Sequence, residues 1–102
     1  MQSGSSLPAD VIAAGQSPVF DESSLPPALR SEHRTAKGVY GLLRVLSGSL
    51  EFVWMAADGE QSAQLEEGSE WVIEPELPHR VVPGGQVRCQ IEFYRLPETD
   101  GE

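Results

Sequence analysis

Hydrophobic and polar residues alternate most regularly near the C-terminal end, where Val87, Cys89, Ile91 and Phe93 interleave with Arg88, Gln90, Glu92 and Tyr94. A period of two puts the two sets on opposite faces of an extended strand. The same period runs through Leu50, Phe52, Trp54 and Ala56 against Glu51, Val53 and Met55. Tyr40 to Leu46 is a further strand-forming run rich in Leu, Val and Tyr, and Ser47-Gly48 predicts a tight turn after it. Asp58-Gly59 predicts a hairpin whose return strand covers Gln61 to Glu66. Gly68 breaks the chain before Trp71-Val72-Ile73. Glu74 to Pro78 then reads as a corner, His79 opens the run Val81-Val82, and Pro83-Gly84-Gly85 turns the chain again.

The first quarter follows no period. Pro8, Pro18, Pro26 and Pro27 prevent a long helix there. Val11 to Ala14 fits either one helical turn or a short edge strand, while Val19, Phe20 and Leu25 are expected to anchor this segment on the rest. Residues 1–17 are expected to be a flexible arm, 18–96 the folded unit, and 97–102 an acidic tail. Short strands at intervals of roughly 8–12 residues, with no convincing helix, describe an all-β sandwich or closed barrel.

At 102 residues the chain is one domain by length. Sixteen Asp and Glu against seven Lys and Arg give a net charge of −9. Setting aside Glu98, Asp100 and Glu102 still leaves −6. Nucleic-acid backbones and anionic membranes need a positive stripe, so neither is an expected partner. The field instead favours cations or neutral ligands. One cysteine, Cys89, excludes an intrachain disulfide and a thiolate zinc cluster. The start of the chain has no basic segment leading into a long apolar run, and no stretch approaches membrane-spanning length. A cytoplasmic location is the expectation.

Several segments together carry a resemblance. Glu32-His33-Arg34-Thr35-Ala36-Lys37-Gly38-Val39-Tyr40-Gly41 leads into Leu43 to Leu50, and later come Ile73-Glu74-Pro75-Glu76-Leu77-Pro78-His79-Arg80-Val81 and Glu92-Phe93-Tyr94. From about Pro18 to Arg95 the chain resembles the small tellurite-resistance-related cupins, including the N-terminal cupin of TehB-type proteins. The resemblance implies a cupin fold, a double-stranded β-helix or jelly-roll barrel, and a link to metalloid-oxyanion or stress tolerance. It also places degenerate cupin motifs. His33 fills the first histidine position, Thr35 replaces the second, Tyr40 falls near the glutamate position, and Gly48 closes the first motif. Gly68, Pro75 and His79 match the second motif.

With two histidines in the whole chain, a three-histidine metal site is excluded. The candidate metal set is therefore His33, His79 and Glu92, suited to Zn²⁺ or Fe²⁺ with coordination positions left open. Glu74 is the reserve carboxylate. The competing reading makes His33 a loop residue and hydrogen-bonds His79 to a backbone carbonyl. It leaves Glu92 on a solvated face, pairing with Arg88. Tyr40, Trp71, Glu74 and Tyr94 are the further pocket candidates, the two tyrosines with their hydroxyls inside the barrel, and Trp54 is expected in the core. Arg34 and Lys37 are placed to attract an oxyanion, or else lie in a solvated loop. Cys89 shares its parity with apolar residues and reads as a small buried hydrophobe rather than a nucleophile. Two functions follow: a small metal- or ligand-binding module for a small molecule or oxyanion, or a metal-dependent oxygenase or isomerase. A homodimer formed through a sheet face is expected in either case. The chain has no glycine-rich nucleotide loop, so methyl transfer by these residues alone is not expected.

Overall fold

The computed structural model describes residues 7–97. The expected mobility of Met1 to Ser6 and the acidic character of the tail beyond Pro97 concern residues outside that range. The described residues form strands β1 (Ile12–Gln16), β2 (Phe20–Asp21), β3 (Val39–Ala56), β4 (Gly59–Glu66), β5 (Glu70–Ile73) and β6 (His79–Arg95), with one short helix, α1 (Pro27–Arg30). Pro27 starts α1, where its fixed φ fits and its missing N–H costs nothing. The six strands make one curled antiparallel sheet, an all-β barrel of the cupin type.

Two long strands organise everything else. β6 pairs with β3 from Val39↔Arg95 to Trp54↔His79. On the other edge of β3, β5 pairs with its first half at Gly41 to Arg44, and β4 pairs with its second half at Ser49 to Ala56. The expected turns at Ser47-Gly48 and Pro83-Gly85 are not chain reversals. Each lies inside a continuous strand, and the two face each other across the ladder, with Gly48 opposite Val87 and Leu50 opposite Pro83. The register slips on both sides of Gly48, which marks bulges that bend both strands together. That shared bend folds one ribbon into two walls.

Gly48 is required at the bend. Its φ is +74°, and a β-carbon there would sit 2.0 Å from the backbone oxygen of Gln86. Asp58-Gly59 does make the expected hairpin, with Ala56 opposite Gly59 at φ +125°.

The core draws on both walls. Leu43, Val45, Ile73, Cys89 and Ile91 come from one half, and Leu50, Phe52, Leu65 and Val81 from the other. Leu43, Leu50 and Phe52 are fully buried. Leu25 is buried in the same cluster as expected, with Phe20 and Leu29 packed against it, whereas Val19 is exposed. Asp21 shapes the turn that delivers Leu25 by accepting the N–H groups of Ser23 and Ser24, each at 2.8 Å. The Glu22 carboxylate then accepts the Val87 N–H at 3.0 Å, tying this segment to the bend.

Residues 12–16 form a paired strand, the edge-strand alternative for Val11 to Ala14. The free edge of β6 offers backbone hydrogen bonds from Glu92 to Arg95, and β1 takes them although all its side chains are exposed. Edge pairing decides this segment where burial cannot.

Gly48→Ala should destabilise the fold by about 2 kcal/mol or more, through strain at positive φ and overlap with backbone. Gly68→Ala, at φ +89° in open space, should cost about 1 kcal/mol. Urea denaturation of the two variants checks the order.

Candidate functional site

The site grows from the N-terminal end of β6. His79 begins that strand opposite Trp54, the last inward aromatic of β3. The other edge of β6 is taken at this point by His33, which forms an isolated antiparallel bridge with His79. Their backbones exchange two hydrogen bonds, His33 N–H to His79 O at 3.0 Å and His79 N–H to His33 O at 2.8 Å. Directly opposed residues project to the same face of a sheet. His33, His79 and Trp54 therefore form a row across the inner face at one end of the barrel.

The rings touch. The imidazole centroids are 4.2 Å apart at an interplanar angle of 63°. Phe52 lies 5.3 Å from the His79 ring and 5.9 Å from Trp54. Trp71, from β5 on the facing wall, closes onto Trp54 at 5.2 Å.

Both imidazoles are oriented by backbone. Nδ1 of His33 lies 3.0 Å from Ser31 O, and Nδ1 of His79 lies 2.7 Å from Leu77 O. A carbonyl oxygen only accepts, so Nδ1 carries the hydrogen in each ring, and in the neutral form of the ring Nε2 keeps its lone pair. Metal-binding and proton-accepting histidines are commonly held this way. Burial pushes the His79 pKa down, with the neighbouring His33 adding to the effect and the bond to Leu77 opposing it.

Beside the rings is an open cleft of about 310 Å³ lined by Trp54, Met55, Ala56, Trp71, Val72, Glu74 and Leu77. Trp71 and Glu74, both pocket candidates from the sequence, are thus part of this lining. Trp54 also lines this cleft, half-buried rather than enclosed in the core, because β3 ends two residues later.

Glu92 is elsewhere. It has the opposite parity from Val81, Cys89 and Ile91, so it projects from the outer face of β6. There its carboxylate lies 3.2 Å from Arg44 Nε and accepts the Tyr94 hydroxyl at 2.8 Å. The Tyr94 bond, with Arg44 second, holds Glu92 below the usual carboxylate range. Arg44 also pairs with Glu70. The partner on this face is therefore Arg44 and not Arg88. Tyr40 lies opposite Tyr94 on the same outer face, so the tyrosine hydroxyls are not inside the barrel. Among the described residues, no three His, Cys, Asp or Glu side chains gather into a metal-binding group. Cys89 is buried and its thiol pKa is raised by that burial, which suits a packing residue. No helix of the described residues is long and apolar enough to cross a membrane.

Met55 and Leu77 escaped the sequence reading. Met55 has outward parity and Leu77 lies in a corner, so neither announces a cleft. The available signal was position, since both flank the end of a strand.

A family model described as "TehB-like domain" matches residues 15–91. Over 89 residues the chain is 30% identical to a Haemophilus influenzae protein named "Probable S-adenosyl-L-methionine-dependent methyltransferase TehB". The match takes in 83% of this chain and 31% of that protein, so the chain spans about a third of the length of the curated relatives it matches. The crystal structure of TehB from Haemophilus influenzae superposes with a TM-score of 0.77 at 28% identity, over 86% of this chain and 32% of that one. An Escherichia coli K12 protein gives 0.82 at 23% identity, covering 91% of this chain and 98% of that one. Hydroxypropylphosphonic acid epoxidase from S. wedmorenis gives 0.56 at 19% identity, over 85% and 44%. The last two show the fold alone.

A buried imidazole that resists protonation makes stability depend on pH. As pH falls below the ordinary histidine value of 6.5, the unfolded chain takes up the proton before folded His79 does. Stability contributed by neutral His79 is thus intact above that value and declines below it. The urea midpoint should fall between about pH 7 and 5 in the parent and fall less in His79→Gln. Equal slopes would contradict the assignment.

Proposed function

This chain belongs to the TehB-like domain family, and we propose that it is a binding module whose working groups are the paired imidazoles of His33 and His79. The observation that carries this reading is their shared orientation. Both Nδ1 hydrogens are committed to carbonyls, which leaves two adjacent Nε2 lone pairs beside an aromatic cleft. Two neutral imidazoles suit a Zn²⁺ or Fe²⁺ ion, or a metalloid species, with the remaining positions supplied by water or the bound molecule. Such a metal would polarise that molecule. The protein's own part is to orient the two rings, and to shield His79 from water behind Phe52.

The metal-binding half of this site fits better than the third-ligand half. Glu92 is committed to Arg44 and Tyr94, and among the described residues no third ligand stands in its place. Forms of the epoxidase containing Fe(II) and Co(II) are known, at an identity where only the fold carries over. Binding is therefore preferred over an oxygenase or isomerase, for which a complete protein ligand set is expected. The link to tellurite or other metalloid-oxyanion tolerance comes with the family. In the longer relatives, any methyl transfer would belong to the two-thirds of the protein that this chain does not match.

Protein purified without an affinity tag, exposed to Zn²⁺, Fe²⁺ and Mn²⁺ and desalted, should retain about one metal per chain on elemental analysis. His33→Ala and His79→Ala should each lower affinity at least roughly tenfold, while Glu92→Gln should leave it unchanged. A parent protein that keeps no metal would end the metal reading. Metal loss in Glu92→Gln would restore the three-ligand site.

A further inference from the structure

We propose that the cleft walled by Trp54 and Trp71 binds a methylated organic cation of the quaternary ammonium or sulfonium class. Indole faces are the strongest aromatic partners for a cation, through the negative face of the ring. Two half-buried indoles meet here with centroids 5.2 Å apart and planes inclined at 41°, so they form a continuous angled wall. Phe52 backs both rings, at 5.9 Å from Trp54 and 6.0 Å from Trp71, which fixes their positions before any ligand arrives.

The remaining lining selects the kind of cation. Met55 and Leu77 present apolar surface, which suits methyl groups and offers nothing to the hydrogen bonds of a primary ammonium ion. Glu74 supplies the one charge in the lining, and no lysine or arginine is present there. Unlike Glu60, Glu70 and Glu92, Glu74 has no ion-pair partner among the described residues. The chain's net charge of −9 adds a field of the same sign. An oxyanion is disfavoured by both terms. A bare metal ion lacks ligands here, because one carboxylate and two indoles cannot replace its hydration shell. The volume, about 310 Å³, lies at the lower end of the range for small-molecule pockets, roughly 300–1,000 Å³. This site does not depend on a metal at His33 and His79.

The test uses the full chain with choline, trimethylsulfonium, and the neutral isostere of choline in which a tert-butyl group replaces trimethylammonium. Binding is read by quenching of tryptophan fluorescence and by upfield shift of the ligand methyl protons. Both cations should bind saturably, and the neutral isostere roughly tenfold or more weakly. Trp71→Leu and Glu74→Gln should each weaken choline binding by roughly threefold to thirtyfold. Choline affinity should be the same in EDTA and in added Zn²⁺, which separates this site from the imidazole pair. Circular dichroism and melting confirm that each variant is folded, and Glu74→Gln carries the test if Trp71→Leu is not. Equal binding of the neutral isostere would overturn the proposal in favour of a merely apolar cleft. So would the absence of saturation by either cation up to about 10 mM, or unaltered binding in a folded Glu74→Gln protein.

Discussion

The joint bend of β3 and β6 is the constraint on which the rest of this molecule depends. A flat ladder of two long strands would hold one apolar face against water. The bulges around Gly48, set against Pro83 to Val87, turn that face in on itself, so that Leu43 and Ile91 in one half share a core with Phe52 and Val81 in the other. The close approach of Gly48 to the Gln86 oxygen shows how tightly the two backbones must pass. Hydrophobic burial drives the closure, but the absence of one side chain permits it.

The end of the barrel that carries the proposed site is a consequence of that closure. β6 brings His79 alongside Trp54 on one edge and His33 on the other, and the facing wall brings Trp71 onto Trp54. Polar groups on the two faces then divide their tasks. On the outside, Arg44, Glu70, Glu92 and Tyr94 pair with one another, and their charges are largely spent on the network. On the inside, the imidazoles spend only Nδ1 on the backbone, and at the exposed rim of the cleft Glu74 is left without a cationic partner among the described residues. Unspent donor and acceptor capacity beside a cleft is what distinguishes a binding site from a structural network.

Alternation made the architecture legible. Val87 to Tyr94 and Leu50 to Ala56 fixed both face and strand type, and Asp58-Gly59 fixed the hairpin, because each depends on local geometry alone. Gly48 and Pro83-Gly85 were visible as breaks but were read as reversals. Only the long-range register reveals that two breaks lie opposite each other and act as one bend. The family pattern pointed to His33 and His79, and the structure brings these two rings together. Glu92 was misplaced although its parity with Arg88 and Gln90 marked it as outward-facing. Its place on the last strand of the barrel wall suggested a ligand while the strand period opposed it, and the period was the better guide. Its true partner, Arg44, lies 48 residues away, and no local signal joins them.

The proposed site depends on two touching imidazoles whose Nδ1 atoms are each held against a backbone carbonyl. Long-range ¹H–¹⁵N correlation spectra of the histidine rings test this most directly, since protonated and lone-pair nitrogens resonate far apart. In their neutral forms both rings are predicted to carry the hydrogen on Nδ1 and the lone pair on Nε2, with the Nε2 signals moving on addition of Zn²⁺. A ring with its hydrogen on Nε2, or Nε2 signals indifferent to the metal, would contradict it.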